Sequence, residues 1–262
     1  LLSACDRRAG RLLAFIDNEV NLPGEYLGDK IAFLRAMHAD YVATQLPLAV
    51  GQYLYAGLPG TRVLAVPHAL NPERYRPVVP QADRPLDLGV RSYEYFVLMG
   101  DIERNQIIDY FARTPFDPPL RLDINTAGSG RLPPDGWAAF LNQCKGTVAT
   151  EAGTYYLERD DATMHQIVAY LQQKQGGRQV LYNRIRQQAV RRWLPGPLRR
   201  GLKALLDRTG AEQSYRQASR FSNELVTFEE IFDRFYKGYP RPVSGKCISS
   251  RHFDAAGTKT VQ

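Results

Sequence analysis

The chain has 262 residues, of which 44% are apolar and 23% are charged. This composition excludes a disordered, collagen-like or disulfide-scaffold protein, and at about 150 residues per domain the length predicts one large or two modest domains. The formal net charge of +7 favours an anionic partner, which is a nucleic acid, a lipid headgroup surface or a phosphorylated small molecule.

The first third of the chain alternates helical and strand patterns. A helical period over 26–37 precedes a predicted strand at 39–44, and a second helix over 50–56 precedes a buried strand at 61–67. Strands separated by helices favour a parallel sheet. We therefore expect a first domain over residues 1–75.

Proline then interrupts the pattern, and a second unit follows. Four prolines between 71 and 85 predict a linker, placed at 76–85. Strands expected at 86–91, 120–124 and 146–150 alternate with helices at 102–111 and 135–144, which is a second parallel unit. The second domain is expected to span 86–262, with a helical insertion at 160–240 and a last helix that opens near His252.

The two ends of the chain and its cysteines bear on completeness and compartment. The chain begins at Leu1 without an initiator Met and ends at Gln262 in an incipient strand, so we expect a fragment. No apolar run reaches the roughly 18 residues of a membrane span, and no secretory signal pattern is present. Cys5, Cys144 and Cys247 lack CxxC spacing, which argues against a disulfide framework or a zinc site and favours the cytoplasm.

Ligands of parallel sheets bind at the carboxyl ends of the strands, where helix N-termini present N–H groups to anions. Three such ends carry polar side chains: Arg91 after the first strand of the second unit, Glu151 after the third, and the stretch 249–258. In that last stretch Ser249 and Ser250 are expected to cap a helix, Arg251 and His252 supply cationic donors, and Asp254 can accept hydrogen bonds from a sugar diol. A nucleotide's diphosphate and ribose fit this pattern; a capped surface helix is the alternative.

Three segments, at 66–77, 146–154 and 250–258, resemble the retaining-type group 1 glycosyltransferases of GT-B fold, in particular the CgeB-like branch. The segments occur in the family's order. The resemblance covers most of the chain except 160–236. It implies an α/β protein of two Rossmann-like domains, the first truncated here, with a nucleotide-sugar donor held by the second domain. The acceptor would be a hydroxyl of a glycan, a lipid-linked glycan or a protein, and no cofactor or metal is implied.

Individual residues follow from the resemblance. Asp254 stands where the family usually has a Glu that binds the donor ribose, and Gly257 is the small residue that lets the helix approach. Ser250, Arg251, His252 and Thr258 belong to the same donor-binding segment. Arg91 matches a basic residue near the diphosphate, without the family's glycine-rich surroundings. Lys246 stands where many members have a further Glu facing the donor sugar, a departure that bears on activity.

Some side chains have two interpretations. Glu151 either faces the cleft or caps Gly153 and Thr154, and His68 either faces the cleft on the acceptor side or has a helix-end or packing role. The histidines have no metal-ligand spacing. Asp160 or Asp161 is expected to cap the helix that follows rather than to form a metal-binding DxD motif. Neither 128–130 nor 256–260 matches a phosphate-loop motif.

The basic stretch Arg178–Arg208 holds the main concentration of positive charge. It is interpreted as a solvated helical face, as a peripheral contact with an anionic membrane, or as a grip on nucleic-acid phosphates, with nucleic acid the least favoured. The sequence thus predicts a metal-independent glycosyltransferase. The alternative is a non-catalytic binding module, either a degenerate glycosyltransferase domain or a basic membrane or nucleic-acid scaffold.

Overall fold

A computed structural model of the protein describes Cys5 and residues 7–17, 19–23, 26–127, 132–174 and 223–262. Over these residues the fold is mixed α/β, with two small parallel sheets of three strands each. None of the helices in these ranges is long and apolar enough to cross a bilayer.

The first sheet comprises β1 (Leu13–Ile16), β2 (Tyr41–Thr44) and β3 (Arg62–Ala65), paired in that order. Helices α1 (Leu27–Ala36) and α2 (Leu48–Leu54) connect them. Because each helix returns the chain to the same end of the sheet, all three strands run parallel. One face is buried by apolar side chains of both helices, which pack with the central strand: Ile31, Leu34, Val42, Val50 and Leu54.

The opposite face of the first sheet carries apolar side chains that are exposed. Leu13 and Phe15 on β1 are 43% and 70% exposed, and Leu64, the register partner of this row on β3, is 36% exposed. Parallel sheets are generally covered on both faces. Ala43, which lies between Phe15 and Leu64 on the central strand, is buried, so among the described residues the exposed apolar side chains of this face lie on the two outer strands.

The second sheet comprises β4 (Leu86–Arg91), β5 (Leu122–Asn125) and β6 (Cys144–Gly146), in the order β5-β4-β6. Helices α3 (Glu103–Arg113) and α4 (Pro134–Leu141) connect these strands. The central strand is therefore the first in sequence, and the chain crosses over it between β5 and β6. Val261 continues the sheet through a parallel bridge to Gly146.

Three further helices follow β6 in the described part of the chain. They are α5 (Ala162–Lys174), α6 (Phe228–Ile231), which continues as a π-helical turn through Tyr236, and α7 (Ser250–Thr258). Short 3-10 turns occur at Gln81–Asp83 and Val97–Met99. Helices α5 and α6 bury an aromatic core whose members include Tyr156, Phe232 and Tyr236.

Strand β1 and several element boundaries differ from the sequence prediction. The strand β1 was not predicted, and the third strand of the second unit lies at Cys144–Gly146 rather than at 146–150. The residues after β6 are held by other bonds, since the Thr147 hydroxyl donates to the Gly89 carbonyl at 2.7 Å. Within the predicted helical stretch 160–240, the described residues 162–174, 223–225 and 228–236 are helical, and 175–222 lie outside the described residues.

The predicted helix cap at Asp160 or Asp161 needs a correction. Asp161 accepts hydrogen bonds from the backbone N–H groups of Leu27 and Gly28, at 3.1 and 2.7 Å, so it caps α1 from a distant part of the chain. The first turn of α5 is capped mainly by Glu158, which accepts from Thr163 N at 2.6 Å. A weaker bond, at 3.3 Å, joins Ala162 N to Asp160.

The segment before β4 is anchored by a buried arginine. Arg84 is 1% exposed, and its guanidinium donates to main-chain and hydroxyl oxygens around it: Val79 O, Leu141 O, Cys144 O, Thr258 O and Thr260 Oγ1. These bonds fasten the expected linker to the C-terminal end of α7. The guanidinium is satisfied by oxygen dipoles, so its charge is compensated without a carboxylate.

Candidate ligand site at the carboxyl ends of the strands

The carboxyl end of β4 is the point at which the strand connections of the second sheet diverge. In an open parallel sheet this switch point forms a crevice suited to ligands. Helix α7 brings its N-terminus to it. Ser249 Oγ donates to Thr150 O at 2.9 Å, and Arg251 Nη2 donates to Arg91 O at 3.0 Å. The start of α7 is therefore tied both to the end of β4 and to the segment after β6.

Two guanidinium groups lie together at this end of the sheet. Arg104, in the first turn of α3, is only 6% exposed; its Nε donates to Thr150 Oγ1 at 2.8 Å, and it stacks 4.3 Å from the centroid of the Tyr95 ring. Arg251 is half-buried. Burial lowers the pKa of Arg251 to about 10, and the charge of Arg104 lowers it in the same direction. Arg251 therefore remains charged at neutral pH.

Neither guanidinium has a carboxylate partner among the described residues, in contrast to Arg91. Two adjacent cations repel each other, and burying them costs free energy unless an anion compensates their charge. The first turn of α7 adds backbone N–H groups at the same place. The arrangement is therefore suited to bind a phosphate or diphosphate.

Asp254 lies one turn further along α7, where it faces α4 and the segment 66–77. The Trp137 indole N–H donates to its Oδ2 at 3.1 Å. Burial raises the pKa of Asp254, while the Trp137 bond and the charges of His68 and Arg251 oppose the rise. Its carboxylate is thus near the basic pair and able to accept hydrogen bonds from hydroxyl groups.

Gly257 permits a close contact, but with the protein itself. A Cβ at this position would lie 2.7 Å from both Leu70 Cδ1 and Tyr75 O. The glycine therefore lets α7 approach the segment 66–77. Thr258 is fully buried at the C-terminal end of this nine-residue helix, and its carbonyl accepts from Arg84. About 12 Å of helix separates Thr258 from the first turn of α7.

The remaining residues of this segment are placed as follows. Ser249 is the cap residue of α7, but its hydroxyl bonds Thr150 O and His252 Nδ1 rather than an N–H of the first turn, which corrects the predicted capping role. Ser250 is exposed. His252 stays beside Ser249 at 3.0 Å, at the same end of the helix as Arg251.

Arg91 is engaged inside the sheet. Its guanidinium makes two hydrogen bonds to the Asp123 carboxylate, at 2.8 and 2.7 Å, and stacks 3.9 Å from the Phe140 ring centroid. The ion pair lowers the pKa of Asp123. The charge of Arg91 is thus compensated by Asp123, whereas Arg104 forms no ion pair with a carboxylate among the described residues.

Lys246 is buried in an ion-pair cluster. Its side chain is 6% exposed, its Nζ pairs with Asp101 Oδ2, and it lies 3.2 Å from Glu103 Oε2. Burial acts to lower the pKa of Lys246, but both carboxylates outweigh it, so the pKa is raised. Burial raises the pKa of Tyr155 most, and the charges of Glu103 and Glu151 raise it further. Glu151 is exposed, so it lies at the edge of this cluster.

The ends of the first sheet approach the same region. Glu19 lies three residues after the end of β1. It is buried and accepts a hydrogen bond from the Tyr55 hydroxyl at 2.9 Å. Burial raises the pKa of Cys247, and the charge of Glu19 raises it further. His68, after β3, is half-buried with its Nδ1 3.2 Å from Gln45 Nε2. Residues at the carboxyl ends of both sheets therefore come near each other.

Sequence reasoning missed Arg104, Tyr95 and the pairing of Lys246. Arg104 stands in the first turn of the helix that follows β4, so the rule that directed attention to the strand ends also applied to it. Its contact with Thr150 spans 46 positions of sequence and has no local signature. The basic stretch Arg178–Arg208 and residues 128–130 lie outside the described residues.

No group of three or more metal-ligating side chains lies together in the described ranges. Searches against protein families, characterised proteins and solved structures found no match to this chain.

Proposed function

We propose that the chain is part of a GT-B glycosyltransferase, with a truncated first Rossmann-like domain over 1–75 and a donor-binding domain over 86–262. The observation that carries this proposal is the pair Arg104 and Arg251 at the N-terminus of α7, neither of which forms an ion pair with a carboxylate among the described residues. The exposed apolar side chains on the outer strands of the first sheet support an incomplete first domain, since parallel sheets are generally covered on both faces.

The ligand would be a nucleotide sugar. Arg104, Arg251 and the N–H groups of α7 bind its diphosphate, and Asp254 accepts hydrogen bonds from the ribose hydroxyls. His68 lies on the acceptor side, near enough for its charge to act on Asp254. Ser250, His252 and Glu151 line the approach to the first turn of α7.

The reaction transfers the sugar to a hydroxyl of a glycan, a lipid-linked glycan or a protein. The bond between the anomeric carbon and the diphosphate oxygen breaks, the acceptor oxygen bonds to that carbon, and the acceptor proton is released. Negative charge grows on the departing nucleoside diphosphate. Cations and N–H groups that are already in place stabilise this charge without reorganisation.

Calorimetric titration with UDP, GDP and ADP tests the proposal. We expect one nucleoside diphosphate to bind, and the Arg104→Gln variant to bind it about tenfold to a hundredfold more weakly, since a hydrogen bond to a charged group contributes about 1.5–3 kcal/mol. Arg113→Gln is the matched control, because Arg113 lies on the same helix, is 80% exposed and pairs with Asp109. Equal affinity of the two variants, or no binding by the unmodified protein, would overturn the proposal.

The competing function is a non-catalytic module that contacts anionic membrane or, less favourably, nucleic acid through Arg178–Arg208. Such a module would bind anionic vesicles or RNA with an affinity that falls steeply with salt. Its binding would be insensitive to Arg104→Gln, so the same variant separates the two functions.

A further inference from the structure

Glu103 carries a carboxylate at the edge of the proposed donor site, immediately before Arg104. Its side chain is 49% exposed. Its Oε2 lies 3.2 Å from Lys246 Nζ, and the Tyr155 hydroxyl approaches its Oε1 at 3.5 Å. Both oxygens are thus oriented by neighbours, while about half of the side chain remains open to solvent.

The rest of the cluster is rigid. Gly100 has a φ of 67°, and a Cβ there would lie 2.7 Å from the Tyr236 ring. This turn places Asp101 at the start of α3, where its Oδ1 accepts from Glu103 N at 3.3 Å and its Oδ2 pairs with Lys246. Lys246 itself is fixed by backbone pairing of its neighbour Cys247 with Ala152, at 2.8 and 2.9 Å.

The charges of this cluster do not cancel. Lys246 provides one positive charge, whereas Asp101 and Glu103 provide two negative charges. Asp101 is 3% exposed in its side chain and needs the ammonium to compensate its burial. The surplus negative charge therefore resides on the half-exposed Glu103.

This carboxylate and the basic pair border one site. Arg104 Nε and Ser249 Oγ both donate to Thr150, at 2.8 and 2.9 Å. Lys246, which holds the Glu103 carboxylate, lies three residues before Ser249, and Arg251 lies two residues after it. One short segment therefore brings the Glu103 carboxylate and the basic pair to the same end of the sheet. Burial raises the pKa of Tyr95, and the charges of Arg104, Arg251 and Lys246 each oppose that rise. An anionic carboxylate accepts hydrogen bonds from hydroxyl groups and repels phosphate.

We infer that Glu103 binds hydroxyl groups of the sugar of the donor, and thereby selects a nucleoside diphosphate sugar over a nucleoside triphosphate. This inference rests on the proposed function, since it assigns the diphosphate to Arg104 and Arg251. The third phosphate of a triphosphate would occupy the place of the sugar, where the negative charge of Glu103 disfavours it.

The test measures the binding of a diphosphate, a nucleotide sugar and a triphosphate that share one base. The three series are UDP, UDP-glucose and UTP; GDP, GDP-mannose and GTP; and ADP, ADP-glucose and ATP. For the base that binds, Glu103→Gln should weaken binding of the nucleotide sugar about tenfold, because it removes hydrogen bonds to a charged group. Binding of the diphosphate should change less than about twofold, and binding of the triphosphate should become tighter.

Asp109→Asn is the control, because it removes a carboxylate from the exposed side of the same helix, where it pairs with Arg113. Tyr155→Phe provides a second variant that keeps every charge; it should weaken nucleotide-sugar binding more than diphosphate binding, by a smaller factor than Glu103→Gln. Unchanged discrimination among the three ligands in both variants, with diphosphate binding intact, overturns the role of Glu103 alone. Failure of the unmodified protein to bind any diphosphate overturns the proposed function as well.

Discussion

Arg104 lies close enough to Arg251 for its charge to lower the pKa of the second guanidinium beyond the effect of burial. The two side chains come from α3 and α7, which are far apart in sequence, and they meet where β4 ends. Like charges are not brought together by folding energetics, because their repulsion and desolvation both oppose it. The proposed function assigns this pair to an anionic ligand, whose charge would offset that repulsion.

Replacement of Arg251 by methionine should separate stability from binding. In the absence of ligand we expect the melting temperature to stay constant or to rise, because a half-buried charge that is repelled by Arg104 is removed. Stabilisation by the nucleoside diphosphate should be lost. Thermal melting with and without the nucleotide measures both effects.

Arg84→Met is the contrasting control for that experiment, because Arg84 is also buried but is satisfied by five oxygen acceptors. Its loss leaves buried carbonyls unpaired and should cost about 3 kcal/mol or more in the free energy of unfolding. A similar loss of stability in Arg251→Met would contradict the interpretation of Arg251 as a binding residue.

The substitution Asp254→Asn should weaken nucleotide binding without a loss of stability. Burial raises the pKa of Asp254, so its ionised form is disfavoured by the fold at neutral pH. This unfavourable contribution is present above the raised pKa and disappears as the pH falls below the ordinary aspartate value of about 4. Asparagine keeps an acceptor for the Trp137 indole and removes the charge.

The variant should therefore be as stable as the unmodified protein at pH 7, or slightly more stable, and the two should converge in acid. Urea unfolding at both pH values measures this, and calorimetry measures the nucleotide affinity. Unchanged affinity would remove Asp254 from the ligand site, whereas a large loss of stability at pH 7 would assign it a structural role.

Local patterns predicted much of the second sheet, and their failures have physical causes. Strand β4 falls at the predicted residues because Leu86–Arg91 is an apolar strand bounded by a proline and a polar loop. Strand β6 was displaced because Cys144–Gly146 has no β-branched residue, whereas Thr147 and Val148, which suggest a strand, follow it. Strand β1 was missed because four residues with alternating exposure give a weak signal beside a basic N-terminal segment.

The site shows the same division between local and distant information. The start of α7 was predicted because helix N-termini have a short-range signature in Ser249, Ser250 and the residues that follow. The partners of Arg104 and Lys246 were not, because each lies on another segment: Arg104 reaches Thr150, and Lys246 reaches Asp101. Such pairs depend on the tertiary fold, and periodicity carries no record of them.

Removal of the Asp161 side chain should loosen the connection between the first sheet and the helices that follow the second. Asp161→Ala deletes two bonds to the N-terminus of α1 and one from Asn21, and it places alanine at a φ of 56° that aspartate tolerates better. The loss of a helix cap costs up to about 2 kcal/mol, and we expect a cost at that upper end in urea unfolding. Asp160→Ala is the control and should cost less than about 0.5 kcal/mol. If the two variants lost the same free energy of unfolding, Asp160 and Asp161 would act only as local caps of α5.

Asp40 makes the stability of the first sheet dependent on pH. It accepts from Leu12 N at 2.8 Å and from the guanidiniums of Arg11 and Arg8, and these bonds hold the pKa of its carboxyl well below the usual range. A depressed folded-state pKa stabilises the protein above the unfolded value of about 4, and this contribution is lost as the pH falls through and below that value.

Asp40→Asn should therefore be less stable than the unmodified protein at pH 7, and the difference in urea midpoint should shrink steadily as the pH is lowered from about 5 to about 2. The control Asp109→Asn, which removes an exposed carboxylate, should show little difference at any pH. If the difference in urea midpoint between Asp40→Asn and the unmodified protein were the same at pH 7 and in acid, the Asp40 side chain would act through its shape and not through its charge.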